Sequence, residues 1–243
     1  GTCCAETWAT AQGIAMTLLE LLAATRDRLD DYGGDTGTPD VGDTYYWQSH
    51  DKGCIWKNAE LIAWLNEAEG EAARRACLLS STFSITLVPG TASYALNPLL
   101  WMVDRARLNT AGVLLTRTTR TAMDDSRANW EAATGHPRNY FIIGSTLTLY
   151  PNPIAADTLN VTGWIDPGPM ADWTDEPTIP EPYHRDLIEW VGFRAAQKRD
   201  VDAQIGSPDQ YLTNFSRRYG PDASVQQMRS WSEYGSTSVI RVP

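Results

Sequence analysis

The chain has 243 residues, of which 42% are hydrophobic and 21% are charged, and these ordinary proportions argue against wholesale disorder. Its formal net charge is −10 and no basic stripe occurs, which argues against high-affinity binding to nucleic acid, since that needs clustered Lys and Arg. No apolar run approaches the roughly 18 residues of a membrane span, and no signal-peptide pattern opens the chain, so a globular protein is predicted.

Aromatic residues and cysteines refine this description. Ten Trp and ten Tyr fit either an aromatic core or an extensive contact surface, and the sequence leaves both open. The four cysteines, Cys3, Cys4, Cys54 and Cys77, form no C-x-x-C pair and have no histidine at ligand spacing. We therefore expect no zinc site, and reduced thiols in a protein made in a cytoplasm.

Helical periodicity predicts two helices in the first third of the chain. The first covers about residues 13–31 and ends at a glycine pair. The second runs from Asn58 to about Ser80. Apolar residues of the second helix recur on one face, namely Leu61, Leu65, Ala68, Ala72, Ala76 and Leu79.

Residues 33–55 separate these helices and are rich in Gly, Asp, Thr and aromatic residues. A loop of this length is uncommon in compact domains and is often functional. It contains three consecutive aromatic residues, Tyr45, Tyr46 and Trp47. They either fold back onto the body of the protein or insert into a neighbouring subunit, and the sequence does not decide between these interpretations.

The middle third alternates apolar and polar residues and predicts strands. Residues 83–87 and 94–96 flank a turn signal at 89–91, residues 141–150 contain a Gly-Ser turn at 144–145, and residues 159–165 alternate again. Because the connections are too short for crossover helices, an antiparallel arrangement is predicted.

The last third begins with an extended connector, residues 166–182, which contains five prolines. Helices are predicted from about Pro182 and from Pro208, the latter after a capping-box pattern at residues 207–210, and a short helix over residues 224–231. The terminal residues 235–243 have no helical period. They either extend freely or add as a strand to a partner.

These elements predict an α+β protein in which N- and C-terminal helices form one bundle, because neither helical pair buries its apolar stripe alone. The predicted parts are residues 1–80 with the loop 33–55, an antiparallel β-rich insert 81–181, helices within 182–232, and an extended tail 233–243.

Four segments resemble motifs of the head–tail adaptor, or connector, proteins of short-tailed bacteriophages. Residues 56–68 resemble the family's Trp-Ser-Asp-Ala-Glu-Leu and Leu-Asn-Glu-Ala helix start. Residues 89–96 resemble its Gly-Thr and Tyr-x-Leu-Pro hairpin, and residues 147–153 its strand ending in Tyr-Pro-x-Pro. Residues 179–195 resemble its Leu-Pro-x-x-Tyr entry into the third helix. The order and spacing of the four agree with the family along most of the chain.

This resemblance implies a structural protein of the virion tail or neck and no enzyme. It implies a twelvefold ring that joins the portal to the tail nozzle, with a fibre or spike as a further candidate partner, and that continues the DNA channel without binding DNA. Membrane association, a cofactor and a metal are not expected. The residues predicted to contact subunits or partners are Tyr45, Tyr46, Trp47, Ser238, Val239, Ile240, Arg241 and Val242.

Candidate catalytic groups form no recognised motif. The histidines are His50, His136 and His184, for which surface or structural roles are predicted. The carboxylate pairs at 30–31, 124–125 and 175–176 are interpreted as solvated loops rather than glycosidase pairs. Two alternative functions remain: a carbohydrate-binding module of a tail spike or other tail protein, suggested by the tryptophans, and a hydrolase with an unrecognised site.

Overall fold

A computed structural model describes residues 15–31, 54–126, 128–198 and 206–222. The chain divides into two compact units. The described residues of Gly1–Ala72 and Pro167–Gly220 make up the first, called the helical unit, and those of Ala73–Asp166 and Pro221–Pro243 the second, called the sheet unit.

The described residues contain five α-helices, nine strands and two short 3₁₀ segments. The α-helices are α1 Leu18–Leu29, α2 Asn58–Ala76, α3 Arg120–Ser126, α4 Leu187–Lys198 and α5 Pro208–Tyr219. The strands are β1 Ser80–Leu87, β2 Ser93–Ala95, β3 Leu100–Leu108, β4 Thr116–Arg117, β5 Thr134–Gly135, β6 Asn139–Ile143, β7 Thr146–Tyr150, β8 Asn152–Pro153 and β9 Asp157–Ile165. The 3₁₀ segments are Trp130–Ala132 and Glu181–Tyr183. The α+β class predicted from the sequence is confirmed.

Helix α1 is shorter than the predicted segment because both of its ends are capped locally. Thr17 and Glu20 form a capping box, in which each side chain accepts a hydrogen bond from the backbone N–H of the other residue. At the other end Asp30 adopts a left-handed conformation with φ of 54°. The helix therefore ends at Leu29, before the glycine pair that was predicted to stop it.

The predicted apolar stripe of α2 faces a core. Leu61, Leu65, Ala68 and Ala72 are all fully buried. The helix ends at Ala76, earlier than predicted, because Cys77 takes a positive φ and the strand β1 begins at Ser80.

Helices α4 and α5 pack closely on each other. A Cβ placed on Gly192 of α4 would lie 2.5 Å from the ring of Tyr211 of α5. Phe215 packs between Trp190 and Tyr219 with tilted rings, whose centroids are 5.0 and 4.4 Å away. The predicted helix start at Pro208 is confirmed, but Ser207 makes no side-chain capping bond, so the predicted capping box is wrong.

The helical unit contains α1, most of α2, and helices α4 and α5. Contacts join α1 to α4 and α4 to α5. The assembly of these helices as a bundle and the tail at 233–243 stay predictions. The same holds for the domain boundaries after residues 80 and 181, whereas the compact units divide after Ala72 and Asp166.

The sheet unit contains a three-stranded sheet in the order β1-β9-β3 and a four-stranded sheet in the order β2-β7-β6-β4. A two-stranded ladder, β5-β8, completes it. The apolar core has ten buried residues, Leu87, Val103, Ala106, Leu108, Leu115, Tyr140, Leu147, Leu149, Leu159 and Val161.

Two predictions about this unit are corrected. The segments that flank residues 89–91 do not form a hairpin, because β1 pairs with β9 whereas β2 pairs with β7. The long ladders are antiparallel as predicted, but β4 pairs with β6 in parallel, and so does β5 with β8. The segment between β4 and β6 includes α3 and is long enough for a crossover, so the prediction that all connections are too short for one is wrong here.

Candidate functional site

The proline-rich connector, defined here as Pro167–Pro180, is bound to α2 by a side-chain amide. Asn66 Oδ1 accepts a hydrogen bond from Met170 N at 2.7 Å, and Asn66 Nδ2 donates to Met170 O at 3.0 Å. One amide thus satisfies the donor and the acceptor of a single backbone residue, as a neighbouring strand would. The connector has no helix or strand, so these side-chain bonds determine its path at Met170.

Glu69 makes the second link between α2 and the connector. Its side chain is fully buried, and Oε1 accepts hydrogen bonds from Thr178 N at 2.5 Å and Ile179 N at 3.3 Å. Burial raises the pKa of this carboxyl to about 7, although the two backbone N–H groups act in the opposite direction. The charge of Glu69 therefore changes near neutral pH.

The connector also caps the N-terminus of α1. Leu18 N donates to Asp175 O at 2.7 Å, and Leu19 N donates to Trp173 O at 3.2 Å. The first amides of a helix have no intrahelical acceptor, so the connector supplies the missing acceptors. Hydrogen bonds from the N–H groups of Asp172 and Ala171 lower the pKa of Asp175 and close the local turn.

His184 is a buried structural residue of the helical unit. Its Nδ1 accepts a hydrogen bond from Met16 N at 3.1 Å, and Nε2 lies 2.8 Å from Ile179 O. Because Nδ1 is an acceptor, the proton is on Nε2, and the neutral ring binds backbone on both sides. The structural role predicted for this histidine fits these contacts. His136 is exposed, and His50 lies outside the described residues.

A second buried polar cluster surrounds Arg26. Its Nη1 donates to Asp31 Oδ2 at 2.8 Å, and its Nη2 donates to Trp56 O at 3.0 Å and Asn58 Oδ1 at 2.6 Å. Asp31 also accepts from Ile55 N at 2.7 Å. The prediction that the pair at 30–31 is solvated is therefore wrong for Asp31, which is buried in an ion pair.

The sheet unit presents a polar surface on the three-stranded sheet. Thr162 lies between Thr82 and Arg105 in register, and its hydroxyl is 2.9 Å from that of Thr82. In the next row Asn160 accepts a bond from Ser84 at 2.8 Å and lies opposite Arg107. Two arginines and a hydroxyl–amide ladder thus share one face of this sheet.

Several large apolar side chains of the sheet unit are exposed. Val88, Leu114, Ile143 and Ile154 each keep more than half of their surface accessible. Ile154 also lines a cleft of about 170 Å³, whose other walls include Leu87, Leu108 and Pro153. Exposed apolar side chains beside a concavity are typical of contact surfaces between proteins.

The ionisable groups at this cleft are not arranged as an acid–base pair. Asp157 accepts hydrogen bonds from the N–H groups of Thr110 and Thr158 at 2.9 and 2.6 Å. Burial tends to raise the pKa of Asp157, but these hydrogen bonds outweigh it and the pKa is lowered. The carboxylate fixes a loop, and no hydrogen bond joins it to His136 in the described part of the cleft.

The other carboxylate pairs differ in their surroundings. Asp124 and Asp125 are exposed as predicted, and Asp124 accepts a hydrogen bond from Trp130 Nε1 at 2.7 Å. Asp175 is half-buried and Glu176 exposed. Among the described residues, no group of three or more His, Cys, Asp or Glu side chains is placed to hold a metal ion.

The predicted contact residues Tyr45, Tyr46, Trp47 and 238–242 lie outside the described residues. Asn66 and Glu69 were not predicted as anchors of the connector. A signal was present for Glu69: it falls at i+4 from Leu65 and i+8 from Leu61, so it lies on the apolar face of α2. A carboxylate on a buried face needs partners, which the connector supplies.

Comparison of the sequence with models of known protein families identifies the family of this chain. A model of the SU10 adaptor protein family matches residues 16–241, which is nearly the whole chain. The chain belongs to the SU10 adaptor protein family. No curated protein matches it significantly. The resemblance to phage head–tail adaptors that was drawn from four motifs is confirmed.

Membership of this family makes the protein a structural adaptor component of a bacteriophage virion, a class that is in general non-enzymatic. No helix within the described ranges is long and apolar enough to cross a membrane. Each tryptophan that the structure describes is buried or half-buried.

Proposed function

We propose that this adaptor protein forms a twelvefold ring that joins the portal to the tail nozzle and continues the channel through which DNA passes. The observation that carries the proposal is the family match over residues 16–241, which spans both compact units. An adaptor needs different surfaces for its neighbours in the ring, for the portal above and for the nozzle below. A ring repeats each weak contact around its circumference, and this repetition makes a stable joint.

The charge of the chain supports a channel role. A net charge of −10 disfavours adhesion of the DNA backbone, because phosphates bind to clustered Lys and Arg. DNA then slides through the ring without specific binding. The protein acts in the neck of the virion after synthesis in the host cytoplasm.

The proposed contact residues remain Tyr45, Tyr46 and Trp47 in the loop 33–55, and Ser238, Val239, Ile240, Arg241 and Val242 near the end of the chain. Aromatic side chains supply most of the binding energy at many interfaces. The β-branched terminal residues favour extended pairing with a neighbouring subunit or with the portal.

Electron microscopy and native mass spectrometry of the purified chain, with and without the portal protein of the same phage, test this proposal. We expect free monomers that assemble into rings of twelve on the portal. Trp47→Ala should weaken assembly, whereas Trp47→Phe should largely retain it because the ring stays aromatic. A chain that ignores the portal, or that binds glycans on an array instead, contradicts the proposal.

A further inference from the structure

We propose that the outer edge of β1 receives residues 236–242 of a neighbouring copy as an added strand. The inference rests on the proposed ring of identical subunits. Strand β1 is the first strand of the sheet β1-β9-β3, so among the described strands only one of its edges is paired. Within the described ranges, no backbone or side chain forms a hydrogen bond to the backbone of β1 on its other edge.

The register identifies the unpaired backbone groups. Ile165 N donates to Leu79 O, and Asn109 N donates to Thr158 O. The backbone N–H and C=O groups of odd-numbered residues in β9 therefore form hydrogen bonds with β1. Those of even-numbered residues form hydrogen bonds with β3. It follows that the N–H and C=O groups of Ser80, Thr82, Ser84 and Thr86 point outward from the sheet, and all four residues are exposed.

This edge lacks the features that normally block strand addition. Proteins protect exposed edges with charged residues, prolines, bulges or short strands. The eight residues Ser80–Leu87 include no charge and no proline, and their pairing with β9 is regular throughout. At the other end of this sheet, β3 is partly covered, since Leu108 N donates to Val113 O and Leu115 N donates to Ala106 O.

The side chains of β1 define the sequence that an added strand needs. Phe83 and Ile85 point to the inner face of the sheet but are only half-buried, whereas Thr82 and Ser84 face solvent. A strand beside β1 completes this inner face if it carries apolar residues at alternate positions.

Residues 236–242 of this chain suit such a strand at their C-terminal end. Ile240 and Val242 fall on one face, with Ser236 and Ser238 before them, and most residues of the segment are β-branched or small and polar. Its one charge, that of Arg241, is opposite to the net charge of −10 of a neighbouring copy. The residues that follow Asp222 span up to about 70 Å when extended, which is enough to reach a second subunit.

Pairing between copies also agrees with ring formation. The edge of β1 and the terminal segment are two different surfaces of one chain, so their pairing between copies is head-to-tail. Contacts of this kind produce closed rings when the rotation between subunits closes. Each copy then provides one edge and one added strand.

Photo-crosslinking in assembled rings tests the inference. Full-length chains with p-benzoylphenylalanine in place of Ser84, one half labelled with ¹⁵N and the other unlabelled, are mixed and assembled on the portal. We expect cross-links from position 84 to residues 236–242, and we expect many of them to join a labelled chain to an unlabelled one.

Proline substitution tests the hydrogen bonds themselves. Thr82→Pro removes an outward N–H to which no described residue is bonded, and it should lower the cross-link yield about ten-fold, since one lost bond and a clash weaken the pairing. Thr82→Val retains the N–H and should cross-link like the parent chain. If Thr82→Pro does not fold, Ile240→Pro with Ile240→Val as its control makes the same comparison from the other strand.

The outcomes separate this inference from the proposed function. Rings without these cross-links, cross-links within single copies only, or normal cross-linking by both proline variants overturn the inference and leave the ring intact. Failure of the parent chain to form rings on the portal instead overturns the proposed function.

Discussion

The two units use polar side chains in opposite ways. In the helical unit Arg26, Asn66, Glu69 and His184 bind backbone groups inside the fold. In the sheet unit the hydroxyls and amides of Thr82, Ser84 and Asn160 lie on an exposed face, over a core that is almost entirely apolar.

This contrast follows from chain connectivity. The helical unit joins two distant parts of the sequence through a proline-rich connector that lacks regular hydrogen bonding, so side chains must supply the partners of its backbone. All nine described strands of the sheet unit lie within the continuous segment Ala73–Asp166, whose ladders satisfy most of its backbone. Apart from groups such as Asp157, which fixes a loop, the polar side chains on the exposed face of its three-stranded sheet are therefore available for contacts outside the fold.

The largest effect is expected from Arg26→Ala. This change leaves the carboxylate of Asp31 buried without its cation and removes bonds to Trp56 and Asn58. Loss of one partner of a buried ion pair costs about 3–5 kcal/mol, which a urea titration followed by tryptophan fluorescence measures. Arg120→Ala is the control from the sheet unit, since Arg120 pairs with Glu131 at an exposed site. It should cost about 0–1 kcal/mol, and equal losses in the two variants would contradict the contrast between the units.

A pH-dependent effect is expected from Glu69. Burial raises the pKa of this carboxyl from 4.5 to about 7 in the folded chain. Its contribution to stability is therefore fully present below pH 4.5 and is lost as the pH rises through about 7. The free energy of unfolding should fall by about 2–3 kcal/mol between pH 5 and pH 8 because of this group.

Glu69→Gln retains an oxygen acceptor for Thr178 and should remove this part of the pH dependence. Asn66→Ala is the control, because it weakens the connector without removing a titrating group. It should lower stability by a similar amount at both pH values. A pH profile of Glu69→Gln that matches the parent would show that Glu69 does not titrate in this range.

In the sheet unit, the close approach of β3 to β9 at Gly163 can be tested by adding a methyl group. A Cβ on Gly163 would collide with the carbonyl oxygen of Met102 and lie 2.8 Å from Leu100 Cδ1, where β3 is irregular opposite β9. Gly163→Ala should cost about 1–3 kcal/mol by overpacking, as measured by thermal unfolding. Gly168→Ala is a suitable control, because nothing lies within 4 Å of its Cβ position. A neutral Gly163→Ala would mean that the irregularity in β3 adapts freely.

Periodicity predicted the parts of the fold that depend on local sequence. The stripe of α2, the alternation of β9 and the glycine turn between β6 and β7 were all visible in the residues. Pairing between distant strands was not, because β1 pairs with β9 and not with the strand that follows it. A turn signal shows that the chain changes direction but does not show which strands it joins.

The contacts of the connector and of Asp31 could not be predicted from the sequence. The sequence places Asp31 in an acidic pair, which predicts solvation, whereas its burial depends on Arg26 and on the backbone of Ile55. The path of the connector depends on bonds from Asn66 and Glu69, which lie about a hundred residues earlier in the chain. Such bonds leave no local pattern beyond a carboxylate on an apolar helical face.

The smallest expected effect is a gain in stability. Gly70 lies within α2 at ordinary helical geometry, and nothing is within 4 Å of its Cβ position. Gly70→Ala should stabilise the chain by about 0.5–1 kcal/mol, because alanine loses less backbone entropy in a helix. Gly192→Ala in α4 is the opposite case, since its Cβ would meet the ring of Tyr211, and it should destabilise. If Gly70→Ala also destabilises in thermal unfolding, the space beside Gly70 is occupied, and α2 has a contact there beyond those of the described residues.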